Sequence, residues 1–581
     1  MRPKKAGIIF GCMRYAMMHF NKKHFFTYHI LILIAVGLSL KTIFIDFCID
    51  SEYQITMAYR LVKGDVLFKT MWEAHQTSAF LCAFFIKIYL ALFNTTTGIV
   101  LYLQFIGVLI DGLISYLLYR IVRSHLASQD VAFSMAWVFF IISPKDVPIA
   151  EFANMQIWFC LLLCIMIFLY HKTEKHIFLI FSALCLCGSI LAYPSCLIIT
   201  IGIIYFFIAG KKIKECFLFL GVCSLTGVLY LIYLLQHLTL SELFFNLKNM
   251  LSIEPTHTVN FVDKWISYSK EVLFLIITMF VTYLIAYVCA IIISKSKNYP
   301  NEIRRYLTNI LFFLLTIIIC LYTVLKWDSY TRCSYSLIFL VVIFIGVQYR
   351  NKLSPDEKYF YQCCNLVSSL GFLATLLLSD LELISSIPYL LIAFIVSFLP
   401  IAKAYQDLSS LLPLRKWQYL ACMCGIILFT FRTAYIIKPI NSPILPITSI
   451  RGIVKDGPAI GIISEYLGAY MQNESINEWN QYINPGSKIY LVGSGVDTLG
   501  YMYSDTIIAA PSVISTPGYN ESISEYWKAY PEKYPDIVIV SCWYGELDPL
   551  LLENEWIMNW IEKDFNPSHS IDGKYWRYYF K

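Results

Sequence analysis

The sequence predicts an α-helical polytopic membrane protein that ends in a small α/β domain. Of its 581 residues, 58% are hydrophobic and only 14% are charged, which excludes an ordinary soluble globular protein and a disordered chain. Apolar runs such as 271–294 and 307–325 are long enough to cross a hydrocarbon core of about 30 Å as helices. Because these runs are continuously apolar, they do not show the alternating polarity of a transmembrane barrel.

The charge is distributed unevenly along the chain. Residues 437–581 carry 10 basic and 17 acidic side chains, a net charge of −7, whereas residues 1–436 have a net charge of +13. The basic excess lies in short loops between apolar runs, where it orients membrane helices, so we expect no nucleic-acid partner. The basic segment 1–28 lacks a small-residue cleavage site and predicts a cytoplasmic N-terminus before a retained first span.

The topology follows from keeping every basic loop in the cytoplasm. If the apolar stretch 77–93 crossed the membrane, Arg120, Arg123 and every later basic loop would lie outside, so we predict a juxtamembrane helix there. Thirteen spans then form a domain over residues 29–436 in the cytoplasmic membrane. A second domain, over residues 437–581, lies outside the cytoplasm. The predicted spans are 29–47, 98–119, 126–143, 154–170, 177–193, 195–210, 215–236, 271–294, 307–325, 334–348, 363–379, 386–404 and 418–436.

The segment after about Gly452 predicts the small α/β domain. KIYLV, TIIAA and DIVIVS are typical of short strands, and 521–529 and 550–561 are typical of helices. The sequence GSGVDTLG follows a strand, as a phosphate-binding turn does. Its third glycine has the wrong spacing, however, and no acidic residue follows the next strand, so we expect a structural turn.

Polar residues in the first outer loop, 48–98, are the first candidates for chemistry. Asp50 and Glu52 open a stretch with apolar residues at helical spacing, which predicts a helix along the membrane surface. Asp50 either caps this helix or takes part in a reaction. Glu73, His75 and Gln76 then gather acidic, basic and amide groups before the juxtamembrane helix, unless this is an ordinary polar boundary.

The second outer loop, 144–153, and the segment 326–333 add further charges. Lys145, Asp146 and Glu151 lie near the exits of spans three and four, where they either face a cavity inside the bundle or form a solvated loop. Arg332 is a candidate anion ligand because a guanidinium pairs bidentately with phosphate. The alternative for Arg332 is an interfacial side chain that extends toward water.

Together these segments place carboxylates and cations at the same membrane face. A carboxylate can accept the proton of an acceptor hydroxyl while cations stabilise a departing phosphate. This combination suits transfer of a sugar from a lipid-linked phosphate.

The order of these features resembles the GT-C superfamily of polyprenyl-phosphate-dependent glycosyltransferases. It is most similar to family 39, the group of dolichyl-phosphate-mannose protein mannosyltransferases and aminoarabinose transferases. Asp50, Tyr53 and Gly64-Asp65 stand where the pattern of this group expects them. Two departures are that Ser51 interrupts the family's acidic pair and that Ala74-His75-Gln76 replaces its Lys-Pro-Pro turn.

The resemblance implies a GT-C-like fold and an inverting transfer of a sugar from a polyprenyl-phosphate donor to an extracytoplasmic acceptor, which is a cell-envelope glycan, a lipid or a protein. Asp50 would be the general base, and Asp146 or Glu52 would assist it or hold a divalent metal, with no other cofactor. The residues that would bind donor and acceptor are Tyr53, Glu73, His75, Gln76, Lys145, Glu151 and Arg332. The C-terminal domain would help to select the acceptor.

Two other functions stay open at this point. A lipid or glycan transporter or flippase would need polar residues at mid-membrane and broken helices. Asp111 and Lys87 are the charges that fit this description, and neither has an obvious partner in the sequence. The other alternative is a non-catalytic envelope-assembly protein on a GT-C scaffold.

Overall fold

The first eleven predicted apolar runs lie almost wholly in helices. A computed structural model describes residues 25–45, 47, 49–73, 75–143, 147–253, 261–296, 299–325, 331–378, 383–411, 434–437, 445–493, 498–513, 522–543, 546–547, 555–565 and 567–581. The helices are α1 (Phe25–Phe44), α2 (Ile49–Val62), α3 (Ala79–Phe93), α4 (Ile99–His125), α5 (Gln129–Ile142), α6 (Phe152–Thr173), α7 (His176–Ala192), α8 (Leu197–Ala209), α9 (Ile213–Leu235), α10 (Leu240–Ile253), α11 (Phe261–Ser296), α12 (Asn301–Leu325), α13 (Thr331–Tyr349), α14 (Pro355–Leu378), α15 (Leu383–Ser386), α16 (Leu391–Val396), α17 (Phe398–Leu411), α18 (Tyr466–Tyr482), α19 (Ser522–Ala529) and α20 (Glu555–Asp564).

Each of the first eleven predicted spans overlaps one of these helices. In the part of the chain that the structure describes, six helical segments are long and apolar enough to cross a membrane. They are Gln76–Phe93, Ile99–His125, Phe152–Thr173, Ile213–Leu235, Val262–Ser296 and Asn301–Tyr322. The structure therefore has the helices of a membrane protein, while the total of thirteen crossings stays a prediction.

The twelfth predicted span, 386–404, is wrong as a single helix. The chain forms α15, a 3₁₀ turn at Ile387–Leu390, α16 and α17 in succession. Pro388 and Pro400 lack the backbone N–H that a continuous helix would use, which explains interruptions at both places. Most of the thirteenth predicted span, residues 418–433, lies outside the described residues.

The C-terminal region contains the predicted small sheet. Its strands are β1 (Ile436–Ile437), β2 (Leu445–Pro446), β3 (Ile450–Ile453), β4 (Ile463–Glu465), β5 (Lys488–Val492), β6 (Ile507–Ile508), β7 (Ile537–Trp543), β8 (Glu546–Leu547), β9 (Ile571–Asp572) and β10 (Trp576–Phe580). The main sheet has the order β6-β5-β7-β10-β9, with β5 parallel to β6 and β7 and with β10 antiparallel to both neighbours. Val538, Ile539 and Val540 are all buried, so both faces of β7 are covered, as is usual for parallel strands.

The C-terminal region docks on the ends of two membrane helices. Ile45, after α1, pairs with Ile463, and at the start of α4 Val100 N donates to Pro458 O at 3.1 Å. That carbonyl satisfies one of the N–H groups that a helix start leaves without an intrahelical partner. α1 therefore ends and α4 begins against the same segment of the C-terminal region, residues 458–463. The juxtamembrane interpretation of α3 stays a prediction, since its length and composition would also allow a span.

The predicted surface helix, α2, is buried on nearly all sides. Ile55, Met57 and Ala58 are fully buried, and so are the polar residues Ser51 and Thr56. The expectation that α2 lies along a lipid surface is therefore wrong. The C-terminal region covers the face that a surface helix would leave to solvent or lipid, for example where Thr56 Oγ1 donates to Thr498 O at 3.1 Å.

Candidate functional site

The two predicted catalytic loops meet at the start of α2. Ser51 Oγ donates to Glu151 Oε1 at 2.8 Å, and Gln54 Nε2 donates to Glu151 Oε2 at 3.4 Å. Gln54 Oε1 also accepts the backbone N–H of Phe152 at 2.9 Å, at the first turn of α6. We call Ser51, Gln54 and Glu151 the Glu151 cluster. Asp50 precedes this cluster in the first turn of α2 and is exposed.

The second loop is recessed between the helices. Asp111 accepts from Ser143 Oγ at 2.9 Å, immediately after α5 ends. The start of α4, which contacts the C-terminal region, lies twelve residues before Asp111. At the helical rise this is a distance of about 18 Å. Farther along, an added Cβ on Gly107 would lie 2.9 Å from both Pro148 Cβ and Ile149 N, so the loop packs directly on the α4 backbone. Non-helical backbone at such a depth has to be buried in protein or line a cavity.

Asp111 has partners that the sequence did not reveal. Besides Ser143, the indole Nε1 of Trp158 donates to Asp111 Oδ1 at 3.0 Å. The carboxyl group is buried and accepts hydrogen bonds from two other helical segments. The absence of an obvious partner in the sequence therefore reflects their distance along the chain. Lys87, in contrast, is exposed on α3.

A second polar cluster joins the first outer loop to the C-terminal region. Arg60 Nε lies 2.7 Å from Asp65 Oδ2, and Arg60 Nη1 lies 3.2 Å from Glu73 Oε1. Lys533 Nζ donates to the other oxygen of Asp65. We call Arg60, Asp65, Glu73 and Lys533 the Arg60 cluster. The guanidinium also donates to the carbonyls of Thr70, Ala510 and Pro511.

One predicted substrate-binding residue, Glu73, belongs to the Arg60 cluster, and a second, Tyr53, donates a hydrogen bond to it. Glu73 accepts from Ser512 Oγ and from the N–H of Val513, both at 2.8 Å, and from Tyr53 OH at 2.9 Å. Glu73 is therefore surrounded by donors from both regions of the chain. A substrate that bound to Tyr53 or Glu73 would have to displace these bonds.

Burial and charge shift the pKa values in the Arg60 cluster in different directions. Burial raises the pKa of Glu73 above its ordinary value, and Arg60 and the neighbouring donors only partly offset this. Burial also acts to raise the pKa of Asp65, but the charges of Arg60 and Lys533 outweigh it and the net shift is downward. Burial lowers the pKa of Lys533, although the attraction of Asp65 opposes the shift.

The predicted catalytic residue Glu52 lies at the C-terminal region. It is fully buried, and Gln472 Nε2 of α18 donates to Glu52 Oε1 at 3.5 Å. Glu52 and Glu151 thus contact different parts of the chain, although both contacts are made through the first turns of α2. Whether Glu52 assists Asp50 stays a prediction.

His75 and Gln76 lie beside the Glu151 cluster and α10. The His75 ring stacks on Phe152, with ring centroids 4.3 Å apart, and on Tyr193, with centroids 5.5 Å apart. Gln76 Oε1 accepts the N–H of Phe68 at 2.7 Å. His75 is therefore packed against the residue whose backbone Gln54 binds, and it connects the first outer loop to α6 and α7.

An apolar groove begins directly after His75 and Gln76. Its volume is about 270 Å³, and it runs between the start of α3 and the facing sides of α6 and α7. Met155 lies one helical turn after Glu151 on α6, so the groove leads away from the Glu151 cluster. The groove is lined by Thr77, Ser78, Phe80, Leu81, Phe84, Met155, Phe159, Gly188, Leu191 and Ala192.

Several predicted site residues lie outside the described structure. Lys145 and Asp146 fall in the gap 144–146, and of Arg332 the structure describes only the backbone, in α13. Among the described residues there is no group of three or more His, Cys, Asp or Glu side chains with the arrangement of a metal site. Asp146, a predicted metal ligand, is not among them, so metal binding stays a prediction.

The carboxyl edge of the parallel strands is covered by the first outer loop. Open α/β sheets usually bind ligands at this edge. Here the chain after β6 accepts hydrogen bonds from Arg60 and from the N–H of Trp72, which donates to Pro511 O at 2.9 Å. After β5, Gly493 has a φ of +146°, and an added Cβ would lie 1.9 Å from Ser541 Oγ. The next residues, 494–497, lie outside the described structure, so the expectation of a structural turn stays a prediction.

The sequence analysis did not identify Arg60 and Lys533 as important residues. Arg60 is five residues from Asp65, but Lys533 is far along the chain, so no local pattern connects all three. Comparison of the sequence with models of known protein families and with curated proteins finds no match.

Proposed function

We propose that the protein is a membrane glycosyltransferase that moves a sugar from a polyprenyl-phosphate donor to an acceptor outside the cytoplasm. The contact between Ser51 and Glu151 is the main support, because it joins the two loops that the sequence analysis selected independently. The exposed Asp50 lies next to this contact, and the apolar groove starts nearby. An acid, a second carboxylate and an apolar slot are the parts that such a transfer needs.

In this proposal Asp50 accepts the proton of the acceptor hydroxyl. The hydroxyl oxygen then bonds to the anomeric carbon, while the bond from that carbon to the phosphate oxygen breaks and the polyprenyl phosphate leaves. The product has the inverted anomeric configuration. Glu151, oriented by Ser51 and Gln54, binds the acceptor or the sugar, and Lys145 and Arg332 stabilise the charge on the leaving phosphate.

The remaining predicted residues have supporting roles in the proposal. Glu52 or Asp146 assists Asp50 or holds a divalent metal, and Tyr53, Glu73, His75 and Gln76 shape the donor site. His75 can act as a cation only when it is protonated. The first isoprene units of the donor occupy the apolar groove, whose lining is almost entirely hydrophobic, and the rest of the tail extends into the bilayer.

The test is transfer from polyprenyl-phosphate-linked radiolabelled hexoses, offered singly to the full chain in proteoliposomes, with release of polyprenyl phosphate as the readout. We expect Asp50→Asn to abolish release and Glu151→Gln to reduce it strongly. The matched control is Asp505→Asn. This substitution removes an exposed carboxylate of the C-terminal region, which pairs with Lys63 of the first outer loop. Full activity of Asp50→Asn would remove Asp50 from the mechanism, and loss of activity in Asp505→Asn as well would indicate a general folding defect.

A lipid or glycan transporter is the second candidate function. The buried Asp111 and the interrupted helices α15–α17 favour it, because transporters carry polar groups and broken helices at membrane depth. Movement of a fluorescent polyprenyl phosphate across proteoliposomes, unaffected by Asp50→Asn but lost in Asp111→Asn, would support the transporter. The third possibility is an envelope-assembly protein without catalysis. It predicts that neither Asp50→Asn nor Asp111→Asn impairs envelope assembly.

A further inference from the structure

Helix α10 begins at a well-defined point close to the end of a membrane helix. Thr239 and Glu242 form a capping box: Thr239 Oγ1 accepts the N–H of Glu242 at 3.2 Å, and Glu242 Oε2 accepts the N–H of Thr239 at 2.6 Å. Only residues 236–239 separate α10 from α9. An extended chain of that length covers about 18 Å at most, so the start of α10 stays near the membrane end of α9.

One face of α10 is fixed to the protein. Asn246 is buried, and its Nδ2 donates to Phe68 O at 2.6 Å and to Tyr530 OH at 2.9 Å. Phe68 belongs to the first outer loop and Tyr530 to the C-terminal region. Phe245, at the border of this face, packs edge to face on Trp72 with ring centroids 6.5 Å apart, and 45% of its surface is exposed. α10 therefore connects both regions through a single asparagine.

The opposite face of α10 exposes apolar side chains near the start of the helix, and the exposed Lys248 follows one turn after Phe244. Leu240 and Phe244 are one helical turn apart, and 53% and 69% of their surfaces are exposed. On α9, Ile232 and Leu235 are also exposed and lie just before the connection to α10. The apolar surface of a candidate membrane helix thus continues onto α10. Large exposed apolar side chains in such a continuous surface mark a lipid contact.

We infer that α10 lies in the membrane interface and that its Leu240–Phe244 face binds the acyl chains of bilayer lipids. The helix holds the first outer loop and the C-terminal region at the level of the lipid surface through Asn246. This inference does not depend on sugar transfer, because it rests on the two faces of α10 and on its short connection to α9.

The test is site-specific photo-crosslinking in the full chain, reconstituted into vesicles of phosphatidylcholine and phosphatidylglycerol. p-Benzoyl-phenylalanine replaces Phe244 in one variant and Phe245 in the matched control, and mass spectrometry counts lipid adducts on the peptide. A third variant carries the probe at Ile232 as a lipid-facing reference. We expect the adduct yield at 244 to approach that at 232 and to exceed that at 245, because the ring at 245 packs partly on Trp72 whereas 69% of the surface of Phe244 is exposed.

Two results would overturn the inference. One is the formation of lipid adducts by the reference probe at 232 but not by the probe at 244, which would place this face of α10 in water. The other is a crosslinked dimer of the chain as the main product at 244, which would show that a second copy covers the face. A folding defect would instead abolish the intrachain crosslink at 245, and the milder replacement Phe244→Trp, read by quenching with brominated lipids, then decides between lipid and water.

Discussion

The two ends of α2 contact polar clusters of different kinds. Near its C-terminal end, Arg60 is fully buried and binds two carboxylates and three carbonyls, all of them outside α2. Near its N-terminal end, Glu151 receives hydrogen bonds from the neutral groups of Ser51 and Gln54, and the exposed Asp50 lies beside them. The first cluster joins α2 to the C-terminal region, and the second joins it to the membrane helices.

This difference separates docking from chemistry. A buried arginine whose donors are all occupied is well suited to hold two parts of a chain together, because removing any partner leaves an uncompensated charge. Near the start of α2, by contrast, the exposed Asp50 precedes Ser51, whose hydroxyl group orients Glu151 from the second outer loop, so a substrate can reach a carboxyl group there. We therefore place the reaction of the proposed transferase at the Glu151 cluster and assign the Arg60 cluster to docking.

The largest effect is expected for Arg60→Met. Without the guanidinium, Asp65 and Glu73 lose their shared cation and three carbonyls lose a donor, and breaking a buried ion pair costs about 3–5 kcal/mol. The matched control is Lys63→Met, one helical turn away, whose pair with Asp505 is exposed and contributes about 0–1 kcal/mol. Thermal unfolding of the full chain in detergent measures both variants. Equal, small losses would show that the Arg60 cluster does not hold the C-terminal region in place.

The sequence predicts the membrane helices well because their signal is local. Apolar runs of sufficient length predict α1, α4 to α9 and α11 to α14, but not α10, and the strand patterns at 488–492 and 537–543 predict the centre of the sheet. The burial of α2 could not be predicted in the same way. Its covering layer comes from residues more than 400 positions later, as in the contact of Thr56 with Thr498.

The sequence predicted which residues form the candidate site, but not how most of them contact one another. Asp50 was selected for its place at the start of the first outer loop, where the family resemblance expects an aspartate, and Glu151 because a charge at lipid depth favours a bundle-facing role. The structure brings their two loops together. Gln54, which binds both Glu151 and the backbone of Phe152, was not selected, because an isolated glutamine in an amphipathic helix has no distinguishing pattern. Its role depends entirely on a loop about 100 residues later.

Gly493→Ala tests whether the C-terminal region can be destabilised without altering its docking surface. The new Cβ would lie 1.9 Å from Ser541 Oγ and 2.6 Å from Ser541 Cβ. Overpacking costs about 1–3 kcal/mol, and the positive φ adds backbone strain. Gly486→Ala is the control for strain alone, since nothing lies within 4 Å of its added Cβ at a φ of +81°. Unfolding followed by tryptophan fluorescence should show a clearly larger loss for Gly493→Ala, and equal losses would exclude the clash.

Ser51→Ala should have a moderate effect on stability and a larger one on sugar transfer. The substitution removes the 2.8 Å donor of Glu151, and a buried acceptor that loses its donor costs about 1–3 kcal/mol. Ser51→Thr retains the hydroxyl group and is the conservative control. The proposed assignment of chemistry to the Glu151 cluster predicts that Ser51→Ala reduces transfer more than Lys63→Met does. The opposite order would indicate that this cluster, too, is only structural.

The smallest effect is a change in how stability depends on pH, limited to about 1.4 kcal/mol per pH unit for one proton. The pKa of Asp65 is lowered from its ordinary value of 3.8, so its contribution is fully present above that pH and is lost as pH falls through the lower, folded-state pKa. The pKa of Glu73 is raised from 4.5, so its contribution is present below that pH and is lost as pH rises through the folded-state pKa. Unfolding midpoints across a pH series should show that Asp65→Asn flattens the acidic side and Glu73→Gln flattens the side above the ordinary pKa of glutamate. Unchanged slopes in both variants would mean that neither carboxyl group titrates with folding, and the docking role would then rest on Arg60 alone.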